Sequence, residues 1–356
     1  MKKITDNIMI TSLIQFCGTD DTCHYELTQE GKKCQFLQFL INTSNFTWRK
    51  MPEEVTEEDK RQEASILLSK LCAIGYLIFQ KKRPDVSRAV IATDYMNKEP
   101  GRSGKTLFVN FIAKFIQAEH IVGRFMDINN AFIWNDLSSQ TKLVVLDDLP
   151  ENFEFDWLFP CISGDWVINR KGKRVDIIPY PYSPKIVITT FSEIAGKGVS
   201  VDYRKWELPF SDYYNASHSP IDDFGKCFFT DWDIEDWKYA YMLIADCVQL
   251  YLNYGPVLTQ EILWERKIEV EIGTDFVSWA DIYFSNPSYL NQTISRKKLY
   301  DLFLKEDSTC RKYVSSTAFK QKLAKYCNAK RIAFSTQILD GTELFSFSKV
   351  IRNEEI

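Results

Sequence analysis

The stretch "NKEPGRSGKTLF", Asn97 to Phe108, decides how the rest of this chain is read. A phosphate-cradling loop has the pattern G-x-x-x-x-G-K-[ST]. Gly104, Lys105 and Thr106 supply its end, but Glu99 stands where the first glycine belongs. Gly101 comes two places later, so Pro100-Gly101 can make the turn instead. Such a loop works through backbone N–H groups gathered at a helix N-terminus, where the helix dipole favours anions. Glycine permits the left-handed turns and the close approach. On this reading Gly101, Arg102, Ser103 and Gly104 line the cradle, Lys105 reaches the β- and γ-phosphates, and Thr106 ligates Mg²⁺. A basic turn ahead of a helix is the plainer alternative for this stretch taken alone.

Its surroundings favour the loop. "RAVIATDY" (Arg88–Tyr95) before it is β-rich, and Gly104 to Gln117 after it is an amphipathic helix. Phe108, Phe111, Ile112, Phe115 and Ile116 share one stripe of that helix. "KLVVLDDLP" (Lys142–Pro150) is an apolar strand that runs into two acids. Asp147 is the candidate metal ligand, and Asp148 the candidate general base for an attacking water. "SPKIVITTF" (Ser183–Phe191) is a further strand, whose Thr189 or Thr190 is a candidate sensor of the terminal phosphate. Strands alternating with helices predict a parallel α/β sheet. "GDWVINRKGKRVDII" (Gly164–Ile178) predicts a short hairpin around Lys171-Gly172-Lys173, its tip crowded by Arg170, Lys171, Lys173 and Arg174. A basic hairpin of this kind tracks a phosphate backbone.

The flanks differ in texture. Residues 1–85 read as a mostly helical domain, with its strongest helix over Glu63–Phe79. Residues 86–258 hold the loop and strands. Residues 259–356 read as two helices, Arg296–Leu304 and Thr317–Cys327, then two strands turning at Asp340-Gly341, the outline of a winged helix. From Leu290 to Ile332 there are 11 Lys/Arg against 3 Asp/Glu, on a 356-residue chain of net charge −4. That local excess predicts a polyanion-binding face, with Lys320, Lys322 and Lys325 as its DNA contacts. The nine cysteines include no C-x-x-C pair, and Cys17, Cys23, His24 and Cys34 fit no zinc spacing, so they read as free thiols of a reducing cytoplasm. "MKKITDNIMI" is too short and polar for a signal peptide, and no apolar run reaches about 18 residues.

The order of loop, acidic strand, basic hairpin and hydroxyl-ended strand resembles the superfamily 3 helicases of viruses, phages and plasmids, a branch of the AAA+ ATPases. The resemblance covers roughly Glu63 to Gly255. "SGDWVINRKGKR" with "SPKIVITT" is similar to the hairpin motif between that family's acidic and sensor strands. "WELPFSDYYN" and "HSPIDDFGKCFFTDWDIEDW" are similar to the continuation in phage primase–helicases, notably those of gut Bacteroidetes phages. The resemblance implies ATP and Mg²⁺ as cofactors, Gly104, Lys105 and Thr106 on the phosphates, Asp147 and Asp148 as the acid pair, and Lys171 with Lys173 as pore contacts to single-stranded or forked DNA. It implies a homohexameric ring with an N-terminal collar, and an arginine finger, Arg204, reaching the neighbour's nucleotide. It also implies a separate primase or replisome partner, since no primase motif is present here. The family's sensor strand usually ends in asparagine, where this chain has Phe191. The expected function is ATP-driven DNA unwinding for phage or mobile-element replication in the host cytoplasm. The alternative is an initiator or switch ATPase that melts origin DNA without processive unwinding.

Overall fold

The computed structural model describes residues 8–17, 23–94, 97, 101–194, 198–259, 262–263, 268, 271–290, 292–305, 314–330 and 332–349. Pro100, the first residue of the expected Pro100-Gly101 turn, lies outside them. The chain divides into two compact units, Met1–Thr259 and Gln260–Ile356.

The first unit opens with three short antiparallel strands, β1 (Ile8–Ile10), β2 (Ile14–Cys17) and β3 (His24–Leu27). Helices α1 (Gln35–Ser44) and α2 (Glu57–Ile78) follow. Then come β4 (Ala89–Thr93), α3 (Lys105–Ala113), β5 (Ala118–Val122), β6 (Leu143–Asp147), α4 (Phe159–Ser163), β7 (Trp166–Ile168), β8 (Asp176–Ile178) and β9 (Lys185–Thr190). The unit closes with α5 (Val199–Arg204), β10 (Lys205–Pro209), α6 (Pro220–Phe224) and α7 (Ile234–Tyr254).

Five strands form one wholly parallel sheet in the order β10-β4-β9-β6-β5. Every residue of β4 and β9 is buried, as in parallel strands covered on both faces. Val90, Ala92, Val145 and Val187 point into a core shared with α1, α2, α3 and α7. Ile91, Val144, Leu146 and Ile188 point the other way, into a core built from the segments after β5, β6 and β9. The chain leaving β4 therefore runs over one face, and the chain leaving β9 over the other. A crevice is expected where those connections part, at the C-terminal ends of β4 and β9.

Beside α1 and α2 the N-terminal region holds a small sheet, β1 to β3, whose strands, three or four residues long, are too short to show alternation. The region shares its core with the residues that follow: Leu37, Leu71, Phe108, Val187, Trp206 and Leu243 belong to one cluster. α2 is buried continuously from Ala64 to Leu77, as suits a helix in the middle of a domain. At Gly75 it touches α7 so closely that a β-carbon would lie 2.0 Å from the Cys247 carbonyl oxygen. Asp246 on α7, itself buried, accepts from Ser12 N at 3.2 Å and Leu13 N at 2.8 Å, tying the first sheet to the same core. α2 also starts before the expected Glu63. Thr56 and Asp59 form a capping box, which extends the helix by two polar turns.

The second unit contains α8 (Thr274–Ser285), β11 (Thr293–Ser295), α9 (Arg296–Lys305), α10 (Ser316–Ala329), β12 (Ile332–Leu339) and β13 (Thr342–Lys349). Its sheet has the order β11-β13-β12. Asp340 and Gly341 both have positive φ, 49° and 73°, which is what a two-residue hairpin turn demands. Phe276, Trp279, Leu299, Phe303, Phe319, Leu323 and Phe345 form its core. Among the described residues no helix is long and apolar enough to cross a membrane.

Candidate functional site

The loop after β4 ends at the N-terminus of α3, whose Phe108, Val109, Phe111 and Ile112 are buried. Gly101, Arg102 and Gly104 all have positive φ, 112°, 57° and 95°. Successive left-handed residues turn backbone N–H groups inward and make an anion-binding concavity. Gly104 is required for space as well as for φ, since a β-carbon there would lie 2.7 Å from the Phe39 ring of α1. Ser103 is buried, Lys105 is largely buried, and Thr106 is exposed at the first turn of α3.

One loop residue carries a role the sequence reading missed. Asp94 directly follows β4 and is buried. Its Oδ2 accepts from Gly101 N at 2.8 Å and Ser103 Oγ at 2.7 Å, and it is ion-paired with Lys105 Nζ. Three groups of the cradle thus converge on one carboxylate oxygen, as they would on a phosphate oxygen. Oδ1 has no hydrogen-bond partner among the described residues. The available signal was an acid placed immediately after an apolar strand and ahead of a glycine loop.

The acid pair stands at the same edge of the sheet, with β9 between β6 and β4. Thr189 Oγ1 donates to Asp147 Oδ1 at 2.6 Å and accepts from Asp148 N at 2.8 Å. Asp148 itself has φ 60°, so the chain turns sharply there. Its carboxylate meets Arg124 Nε at 2.5 Å, and the Arg124 guanidinium lies 5.2 Å over the Phe191 ring. Thr190 is buried and bound locally, donating to the Leu149 carbonyl oxygen at 3.1 Å and accepting from Ser192 N at 3.0 Å. Neighbouring strand residues face opposite sides, so only Thr189 turns to the acids.

The hairpin of β7 and β8 pairs Val167 with Ile177, and Gly172 at φ 70° makes its tip. Lys171, Lys173 and Arg174 are exposed, with no ion pair among the described residues. Arg170 differs from the other three in having partners within the chain. Its guanidinium donates to Asp176 at 2.6 Å and to the carbonyls of Asn135 at 2.5 Å and Leu137 at 2.6 Å, which ties down the hairpin base.

Arg204 ends α5 just before β10, whose first residue pairs with Ala89. In a parallel sheet that is the end opposite the loop of Gly101 to Gly104. The guanidinium bonds Ser163 Oγ at 2.9 Å and Ser200 Oγ at 2.8 Å and lies 4.5 Å over Phe159.

The three lysines of α10 are not a free basic face. Lys320 pairs with Glu343 of β13 at 2.5 Å, Lys325 with Glu271 at 3.0 Å, and Lys322 donates to the Ile272 carbonyl. Their partners lie more than 20 residues away in sequence, so helical spacing could not reveal them. Lys297 and Lys298 of α9, by contrast, are exposed with no ion pair among the described residues.

No protein-family model matches this chain, and no curated protein matches it. Among solved structures, the C-terminal region of NrS-1 in its apo A form is similar over 94% of this chain and 82% of that chain, with 11% identity and a TM-score of 0.39. JCV helicase, solved with a bound thiazolopyridine compound, is similar over 66% of this chain and 61% of that chain, with 13% identity and a TM-score of 0.32. At these distances neither likeness says what this chain does.

Proposed function

We propose that the first unit is a phosphate-loop ATPase, and that the chain uses ATP to translocate on and unwind DNA. One arrangement carries the reading. A left-handed, glycine-bearing cradle with Lys105 and an acid pair braced by Thr189 stand at one edge of one parallel sheet. The donors fit Mg²⁺ and phosphate. Thr106 is an exposed hydroxyl, and Asp147 keeps an oxygen beyond the one that Thr189 holds. Magnesium, when bound, would neutralise charge on the phosphate oxygens. Lys105 would leave Asp94 for the phosphates, and Asp148 would take the proton of the attacking water. Lys171 and Lys173 would grip the strand, Arg204 would serve a neighbour in a ring, and the second unit would act as a winged helix on duplex DNA or a replisome partner. The resemblance of the hairpin motif to superfamily 3 helicases supports these finer assignments and a place in the cytoplasm of a phage-infected host.

The test is hydrolysis with and without forked DNA. Lys105→Ala and Asp148→Asn are expected to abolish hydrolysis, and wild-type rates in either would end the site assignment. A specific observation favours the second reading, a slow initiator or switch. Both chemical groups are ion-paired within the chain, Lys105 to Asp94 and Asp148 to Arg124. ATP binding with no DNA stimulation and no strand displacement would select it.

A further inference from the structure

The acid end of the site holds a cation that no motif marks. Gly123, after β5, packs so tightly on β6 that a β-carbon would lie 2.9 Å from the Asp147 carbonyl oxygen and 2.9 Å from the Leu149 side chain. That contact, open only to glycine, sets Arg124 against the acid pair, with its Nε 2.5 Å from Asp148. The guanidinium also lies 5.2 Å over Phe191, at the end of β9. Arg124 thus leaves the edge strand, crosses the end of β6 and reaches the strand beside β4. It thus meets groups at the ends of both strands that lie between β5 and β4. Its side chain is 55% exposed, and its terminal nitrogens have no hydrogen-bond partner among the described residues.

The chemistry matches a phosphate end. A nucleoside triphosphate in the crevice would meet three carboxylates, Asp94, Asp147 and Asp148, with Lys105 as the loop's own cation against them. A further cation offsets that repulsion, and the arginine fork suits phosphate oxygens. Phe191 holds the guanidinium by its ring face while offering no competing acceptor.

We infer that Arg124, docked on Phe191, contacts the terminal phosphate of the bound nucleoside triphosphate within its own subunit. This rests on the ATPase reading. The experiment measures hydrolysis and the relative affinities for a non-hydrolysable triphosphate and a diphosphate, using the full chain and its Arg124→Ala and Phe191→Leu variants. Arg124→Ala is expected to lower kcat roughly 100-fold, the usual loss when one transition-state donor is removed. It should also weaken the triphosphate analogue about tenfold while leaving diphosphate affinity unchanged, with Phe191→Leu intermediate. A rate at or above wild type would overturn the inference. So would a fall in kcat with triphosphate preference intact, which would assign Arg124 to Asp148 alone, or an equal loss of diphosphate affinity. If the wild-type chain binds no nucleotide, the ATPase reading fails first and the inference falls with it.

Discussion

Asp94 gives the loop a resting partner. Its buried carboxylate gathers Lys105, Ser103 and the Gly101 amide, the groups that the proposed function gives to phosphate. A buried ion pair is costly to break from one side, because the remaining charge is left uncompensated. Asp94→Asn is therefore expected to lower the melting temperature of the nucleotide-free chain and to tighten triphosphate binding by about tenfold, or ~1.4 kcal/mol. Calorimetric titration and thermal melts check both. Unchanged or weaker binding would make Asp94 a brace for the loop alone. This pairing was illegible in the sequence because the loop's length hides which residue meets the lysine. The glycines were legible, since their left-handed φ values leave few other residue types.

At the scale of elements, the hairpin separates into a base and a tip. Arg170 is spent on Asp176 and two carbonyls, so Arg170→Ala is expected to speed amide exchange across Val167–Ile177. Slow exchange in the variant would show that the hairpin is braced elsewhere. The tip keeps Lys171, Lys173 and Arg174 exposed. Replacing all three with alanine is expected to reduce the salt slope of single-strand binding by about 2, at roughly 0.7 per phosphate. The same replacement at Lys320, Lys322 and Lys325 is expected to change the slope less, because those lysines already have partners. Binding titrations over a range of salt distinguish the two sets. Basic residues were legible at both places, but only cross-strand and cross-helix contacts show which charges are spent.

The whole molecule adds a pH dependence through two buried lysines. Lys185 donates to the carbonyls of Tyr76 and Phe79 at the end of α2, and Lys82 donates to Ser183 Oγ at 2.9 Å. Burial lowers each to about 7, and the charge of Lys82 adds to the effect on Lys185. An unfolded lysine titrates near 10.4. Above about pH 7 the unfolded chain therefore holds more protons than the folded one, so stability rises with pH. Each lysine contributes at most about 1.4 kcal/mol per pH unit. Buried thiols such as Cys34, raised to about 12, act in the opposite direction once unfolded cysteine ionises near pH 8.5. Denaturant unfolding between about pH 7 and 8 should show the rise, and Lys185→Met should remove one lysine's share. An unaltered slope would place the proton uptake elsewhere. In mixing assays Arg204→Ala subunits are expected to poison wild-type rings more steeply than dilution, and a linear loss would argue against a finger acting in trans.

The parallel sheet, the cradle, the acid pair, the hairpin and the Asp340-Gly341 turn follow from local rules of apolar runs, glycine φ and strand spacing, so the sequence alone determined them. The first sheet, the shared core of α2 and α7, and the pairings of Asp94, Arg124, Arg170 and Lys320 needed the tertiary structure. Each joins groups whose attraction depends on distance in space, and chain spacing does not encode that distance.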